Sequence, residues 1–141
     1  MKKIILFTIG LIMAGLCATA QETEKISITL KVNGIKEGKG QLMVGIYNSE
    51  IGYPDKGYKF VTIDLKKTNT NTVLIEDIVP DEYAIIVYQD LNENGDLDIG
   101  MRGPEEPLGY SNNASNPYGP APFASAKMSF TKDTETSITL K

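Results

Sequence analysis

In Tyr83-Ala84-Ile85-Ile86-Val87-Tyr88, both alternate sets of side chains are apolar or aromatic. Successive side chains of an extended strand point to opposite faces, so Tyr83, Ile85 and Val87 look one way and Ala84, Ile86 and Tyr88 the other. A strand that is apolar on both faces must be covered on both, which makes this a central strand. Six residues are too few for a stable helix, and the Val79-Pro80-Asp81-Glu82 stretch before them carries turn chemistry.

Outward from this run, the apolar spacing keeps a period of two. Ile26, Ile28, Leu30 and Val32 alternate with polar residues, and Leu42, Val44 and Ile46 do the same. Gly34 and the Glu37-Gly38-Lys39-Gly40 stretch between them predict a hairpin. Val61, Ile63 and Leu65 form a third run and Val73 and Ile75 a fourth. After the central fifth run come Ala126, Met128 and Phe130, then Ile138 and Leu140. No window shows the i, i+3, i+4, i+7 spacing of an amphipathic helix, so essentially no helix is expected. The pattern predicts an all-β fold: a seven-stranded antiparallel β-sandwich, immunoglobulin- or transthyretin-like, in a single domain over residues 21–141. One long connection interrupts it. In Gly100 to Pro122, twelve of 23 residues are Gly, Pro or Asn, yet Leu108, Tyr110 and Tyr118 lie within it, so a folded loop packed on the sheet edge is expected.

Residues 1–20 read as a signal peptide. Lys2 and Lys3 precede an apolar or small run from Ile4 to Leu16, too short to span a bilayer, and Ala18 and Ala20 supply small residues for cleavage before Gln21. Lipidation at Cys17 is disfavoured because Leu16 stands where a small residue is expected. The mature domain is expected to be secreted or periplasmic, with no transmembrane segment. Losing two Lys leaves twelve basic against 18 acidic residues, a net charge of −6, which disfavours nucleic acid as a partner.

The chain has no His and one Cys, which lies in the discarded segment. A Ser-His-Asp triad, an imidazole metal site and a CxxC redox pair are therefore excluded. What remains is carboxylate, amide and hydroxyl chemistry, which suits hard cations. Such groups are concentrated in Asp90-Leu91-Asn92-Glu93-Asn94-Gly95-Asp96-Leu97-Asp98, directly after the central strand. Oxygen-bearing side chains at places 1, 3 and 5, Gly at 6, and acids at 7 and 9 match the opening of a calcium loop. Asp90, Asn92 and Asn94 would ligate through side chains, Asp96 through its carbonyl, and Asp98 directly or through water. Leu97 would pin the loop to the core. Place 12 is Met101 rather than Glu, and the flanks are not helical, so this is no EF-hand. The closing carboxylate would come from Glu105 or Glu106, if the Gly103-Pro104 turn folds back. The alternative is a metal-free Asx-rich turn whose side chains bond their own backbone.

Three functions follow as expectations. The first is a non-enzymatic exported domain with calcium as its cofactor, held by Asp90, Asn92, Asn94, Asp96, Asp98 and Glu106, in which the metal loop supports an interaction loop. The second is a metal-free module that binds a protein or glycan through Tyr110, Asn112, Asn113 and Tyr118. The third is a carboxylate-dependent hydrolase, for which no substrate cleft is legible.

The order of these motifs resembles a known family. Val79-Pro80-Asp81-Glu82-Tyr83-Ala84-Ile85, the Asp90–Asp98 block and Gly103-Pro104-x-Glu106-x-x-Gly109-Tyr110-Ser111-Asn112-Asn113-Ala114 are similar to the bacterial family called domain of unknown function 2141. Asp81 stands where that pattern usually has Gly, and Gln89 where it often has His. The resemblance implies an exported β-rich domain and no known activity. Pro80-x-x-Tyr83 more distantly resembles the entry to a core strand in transthyretin-like and carboxypeptidase-regulatory-like sandwiches.

Overall fold

A computed structural model describes residues 24–68 and 70–141. The expected signal segment and its cleavage site lie outside the described residues. Among the described residues ten strands form: β1 (Ile26–Asn33), β2 (Gln41–Tyr47), β3 (Lys59–Asp64), β4 (Thr72–Ile78), β5 (Asp81–Asp90), β6 (Ile99–Gly100), β7 (Gly103–Pro104), β8 (Leu108–Tyr110), β9 (Met128–Phe130) and β10 (Thr134–Thr139). One sheet has the order β10-β1-β4; a second runs β3-β2-β5-β8, with β9 pairing the start of β5; and β6 and β7 form a small ribbon.

The period-two reading explains the core. Ile28, Leu30 and Val32 of β1, Val73, Ile75 and Ile78 of β4 and Ile138 of β10 join Leu42, Val44 and Ile46 of β2 and Tyr83, Ile85 and Val87 of β5 in one apolar cluster. Each fully buried side chain of this size contributes about 1.5–3 kcal/mol. The Tyr83 hydroxyl, carried into this core, donates to the Val79 carbonyl at 2.7 Å. The opposite face of β5 is also covered: Ala84 and Ile86 are buried with Tyr47 and Ala126 in a second cluster, against Tyr53, Leu108, Tyr110 and Phe123. The central, doubly covered strand is thus the one expected.

Four expectations are corrected. β1 and β2 are not a hairpin: β1 pairs with β4 and β10, and β2 with β3 and β5. The Gly34–Gly40 connection is an arch between sheets, tied down by the Gln89 side chain, which accepts from Lys36 N (2.8 Å) and donates to the Lys36 and Lys39 carbonyls (2.8 and 2.7 Å). Pairing is not wholly antiparallel either, because β1 and β10 run parallel. These strands come from opposite ends of the chain, and no tight turn forces them to be antiparallel.

Ala126 belongs not to a strand but to a one-turn helix, α1 (Phe123–Ala126), entered from Pro122 and closed by Lys127 N donating to Phe123 O at 2.9 Å. A single turn has no periodicity to read. The Gly100–Pro122 segment carries β7, β8 and a 3-10 turn at Ser111–Asn113 rather than being one loop. β8 completes the edge of the second sheet, and mutual backbone bonds between Leu108 and Lys141 (3.2 and 3.0 Å) join it to the end of the chain. No described helix is long and apolar enough to cross a membrane.

Candidate functional site: the Asp90–Glu106 loop and its groove

β5 ends at Asp90, whose side chain is fully buried. Its strand partner is Gln41, and Gln41 Nε2 donates to Asp90 Oδ2 at 2.8 Å. Asp90 Oδ1 accepts Asn94 N (3.2 Å) and Oδ2 accepts Gly95 N (2.8 Å), so the first residue of the loop gathers the loop's own backbone. Burial pushes the Asp90 carboxyl up, but the Gln41 amide and the N–H groups of Gly95, Glu93 and Asn94 outweigh it and hold it below its usual value. Gly95 takes a left-handed φ of +89° at the sharp turn. Gly40 (φ +62°) lies against the Asp90 carbonyl and Leu91 Cα, where any Cβ would collide.

The rest of the loop is organised in the same way. Asn92 Oδ1 accepts Asn94 N (3.1 Å) and Asn94 Oδ1 accepts Asp96 N (2.9 Å), two successive Asx turns. Both side-chain amides turn their nitrogens to Asp98: Asn92 Nδ2 donates to Oδ2 at 2.6 Å and Asn94 Nδ2 to Oδ1 at 3.1 Å. Asp98 O accepts Glu105 N at 2.9 Å, folding the β6–β7 ribbon back. That fold-back brings in Glu106 rather than Glu105. Glu106 is buried; Oε1 accepts Leu91 N (2.6 Å) and Oε2 accepts Asp98 N (3.3 Å), so one carboxylate closes both ends of the loop. Glu105 is exposed and packs over Gly100. Asp96 is exposed at the tip, and Leu97 is half-buried beside Tyr88 and Tyr110, on the outer face of the second sheet rather than in the main core.

The donor set is entirely carboxylate, amide and carbonyl oxygen, which fits a hard cation. The loop as it stands is nevertheless closed on itself. Among the described residues, no group of three or more His, Cys, Asp or Glu side chains is gathered to hold a metal ion. The two amide NH2 groups each take one oxygen of the Asp98 carboxylate. Turning both amides over would present oxygens there and give up two turn hydrogen bonds, at about 0.5–1.5 kcal/mol each.

The interaction residues divide. Tyr110, Asn113 and Tyr118 border a groove of about 720 Å³ between the β6–β7 ribbon and the 114–120 segment. Tyr118 is 96% exposed at the tip of a turn in which Asn116 Oδ1 accepts Tyr118 N (3.1 Å) and Asn116 Nδ2 donates to Pro120 O (3.1 Å). Asn112 does not line the groove; its amide donates to Ser125 O at 3.0 Å, bracing the 3-10 turn against α1. The other wall carries exposed Ile99 and Met101, which the sequence reading did not single out. Gln41, Gln89 and Gly40 were also missed. Their roles depend on segments distant along the chain rather than on any local motif.

No curated protein and no solved structure matches the chain. A family model described as an uncharacterized protein conserved in bacteria, DUF2141, matches residues 30–139. That span runs from β1 to the end of β10 and includes the acidic loop, Glu106 and the Tyr110–Tyr118 segment, so the chain belongs to the DUF2141 family.

Proposed function

We propose that the mature chain is an exported, non-enzymatic β-sandwich that binds a protein or glycan in the groove beside Tyr110 and Tyr118, with the Asp90–Asp98 loop taking up calcium to stiffen one wall. The observation that carries this reading is the position of Glu106. Its carboxylate bonds both ends of a loop that already holds Asp90 and Asp98, and among the described residues none of the three forms an ion pair with Lys or Arg. A divalent cation would balance that charge, and the β6–β7 ribbon leading from Asp98 to Glu106 forms the groove wall. The Lys2–Ala20 segment supports export.

A second reading, a metal-free binding module, is favoured by the two completed Asx turns and by the amides already facing Asp98. Thermal melts in calcium and in chelator separate the two. At ~1 mM calcium and a Kd of ~10⁻⁴ M, the stabilisation is about 1.4 kcal/mol. A rise of several degrees that is lost in Asp90→Ala supports calcium uptake; coincident melts of the wild type in the two buffers favour the metal-free module.

A further inference from the structure

The outer face of the second sheet carries a cavity that adjoins the Tyr118 groove and shares Leu97, Tyr110 and Pro120 with it. Strand register places Phe60, Gly45, Ile86 and Tyr110 in one row across β3, β2, β5 and β8. Gly45 is the low point of that row, and the Tyr47 ring lies over it: a Cβ at Gly45 would sit 2.6 Å from Tyr47 Oη. The depression holds about 380 Å³, lined by Tyr47, Phe60, Tyr88 and Tyr110, with Asp55 and Asp96 among its polar groups and no Lys or Arg among the described residues that line it. Tyr47 and Phe60 meet edge to face at 88° with centroids 6.0 Å apart, so the two rings pack as one aromatic corner of the cavity. Phe60 is 59% exposed, a large apolar side chain kept open to solvent at the cavity edge. The Tyr88 hydroxyl donates to Gly95 O at 3.0 Å and so ties the acidic loop to this face, beside Asp96.

We propose that this cavity binds a small organic cation of the quaternary-ammonium class, held among the rings of Tyr47, Phe60, Tyr88 and Tyr110 and balanced by Asp55 and Asp96. A soft, weakly hydrated cation gains from ring quadrupoles without requiring hydrogen-bond acceptors, which suits a mostly apolar lining with two carboxylates. A sugar could pair with Asp55, Asp96 and the tyrosine hydroxyls as well, so the charge on the ligand is what a titration must discriminate. Burial pushes the Tyr47 hydroxyl up to about 12, so this ring enters the site as a neutral phenol. The site shares Asp96 with the acidic loop and Tyr110 with the Tyr118 groove, whereas Tyr47, Asp55 and Phe60 belong to it and not to the groove, so variants there test it apart from the proposed function.

The test is an amide chemical-shift titration of the purified protein, in chelator, with choline and with its uncharged carbon isostere 3,3-dimethyl-1-butanol. Saturable shifts at Gly45, Phe60 and Tyr110 are expected with choline, with the isostere at least about tenfold weaker. Asp55→Asn and Phe60→Ala change exposed residues and should leave the melting temperature nearly unchanged while weakening choline about tenfold each. Pelleting with phosphatidylcholine vesicles, if lost in Phe60→Ala, identifies the source as a lipid headgroup; choline binding without pelleting identifies a free solute, and either outcome supports the site. Equal binding of the isostere, undiminished binding in both variants, or no shifts at choline on the order of 100 mM would overturn it.

Discussion

Glu106 Oε1 accepts the Leu91 N–H at 2.6 Å across fifteen residues of chain, and the other oxygen of the same carboxylate reaches Asp98 N at 3.3 Å. A buried charge is tolerated here because it receives two backbone donors that the loop could not satisfy for itself. Glu106→Ala should therefore destabilise the protein by about 2–4 kcal/mol, through two stranded N–H groups and a small void. Glu106→Gln keeps one acceptor oxygen and should cost about half as much. Urea unfolding in chelator measures both; if the two variants match the wild type, the clasp contributes nothing.

Gln89 is fully buried and makes three hydrogen bonds to the Gly34–Gly40 arch. Gln89→Leu fills the space but leaves Lys36 N and two carbonyls without partners, so a loss of about 2–4 kcal/mol is expected. Gln89→His can replace at most one donor and one acceptor and should fall between the two. Faster amide exchange at Lys36 in Gln89→Leu would locate the damage in the arch, and unchanged exchange there would count against it.

Ser111 makes a buried bridge. Its hydroxyl accepts Ile85 N at 2.8 Å and donates to Ala126 O at 2.6 Å, joining β5 to α1. Ser111→Ala removes only one oxygen, yet should cost about 1–3 kcal/mol. Ile85 amide exchange should accelerate more than that of Val87, whose pairing with Gly109 is untouched.

Tyr47 makes stability sensitive to alkali. Burial, with smaller contributions from Tyr88, Asp55 and Tyr110, raises its hydroxyl from 10.0 to about 12. A raised folded pKa gives a contribution that is complete below pH 10.0 and is lost as pH climbs toward about 12, because the unfolded chain releases the proton first. Tyr47→Phe should flatten the fall in melting temperature across that window and leave neutral-pH stability nearly unchanged. A variant that loses stability with alkali as steeply as the wild type would show that Tyr47 ionises freely in the fold.

The sequence by itself determined what depends on near neighbours. A period of two decides which face each residue of β1, β2 and β5 presents, and the double apolar set in 83–88 required cover on both sides of β5. The oxygens and the glycine of Asp90–Asp98 had to curl as one loop, because Asx side chains bond backbone two to five residues away. Partner choice is another matter, since periodicity is blind to which strand lies alongside. Only the tertiary structure decided that β1 pairs parallel with β10, that the first connection is an arch, and that Glu106 rather than Glu105 closes the loop. The same holds for Gln89, Ser111 and Gly45. Their surroundings come from segments distant along the chain, or from the strands on either side of them, so their roles appear only once the sheets have closed.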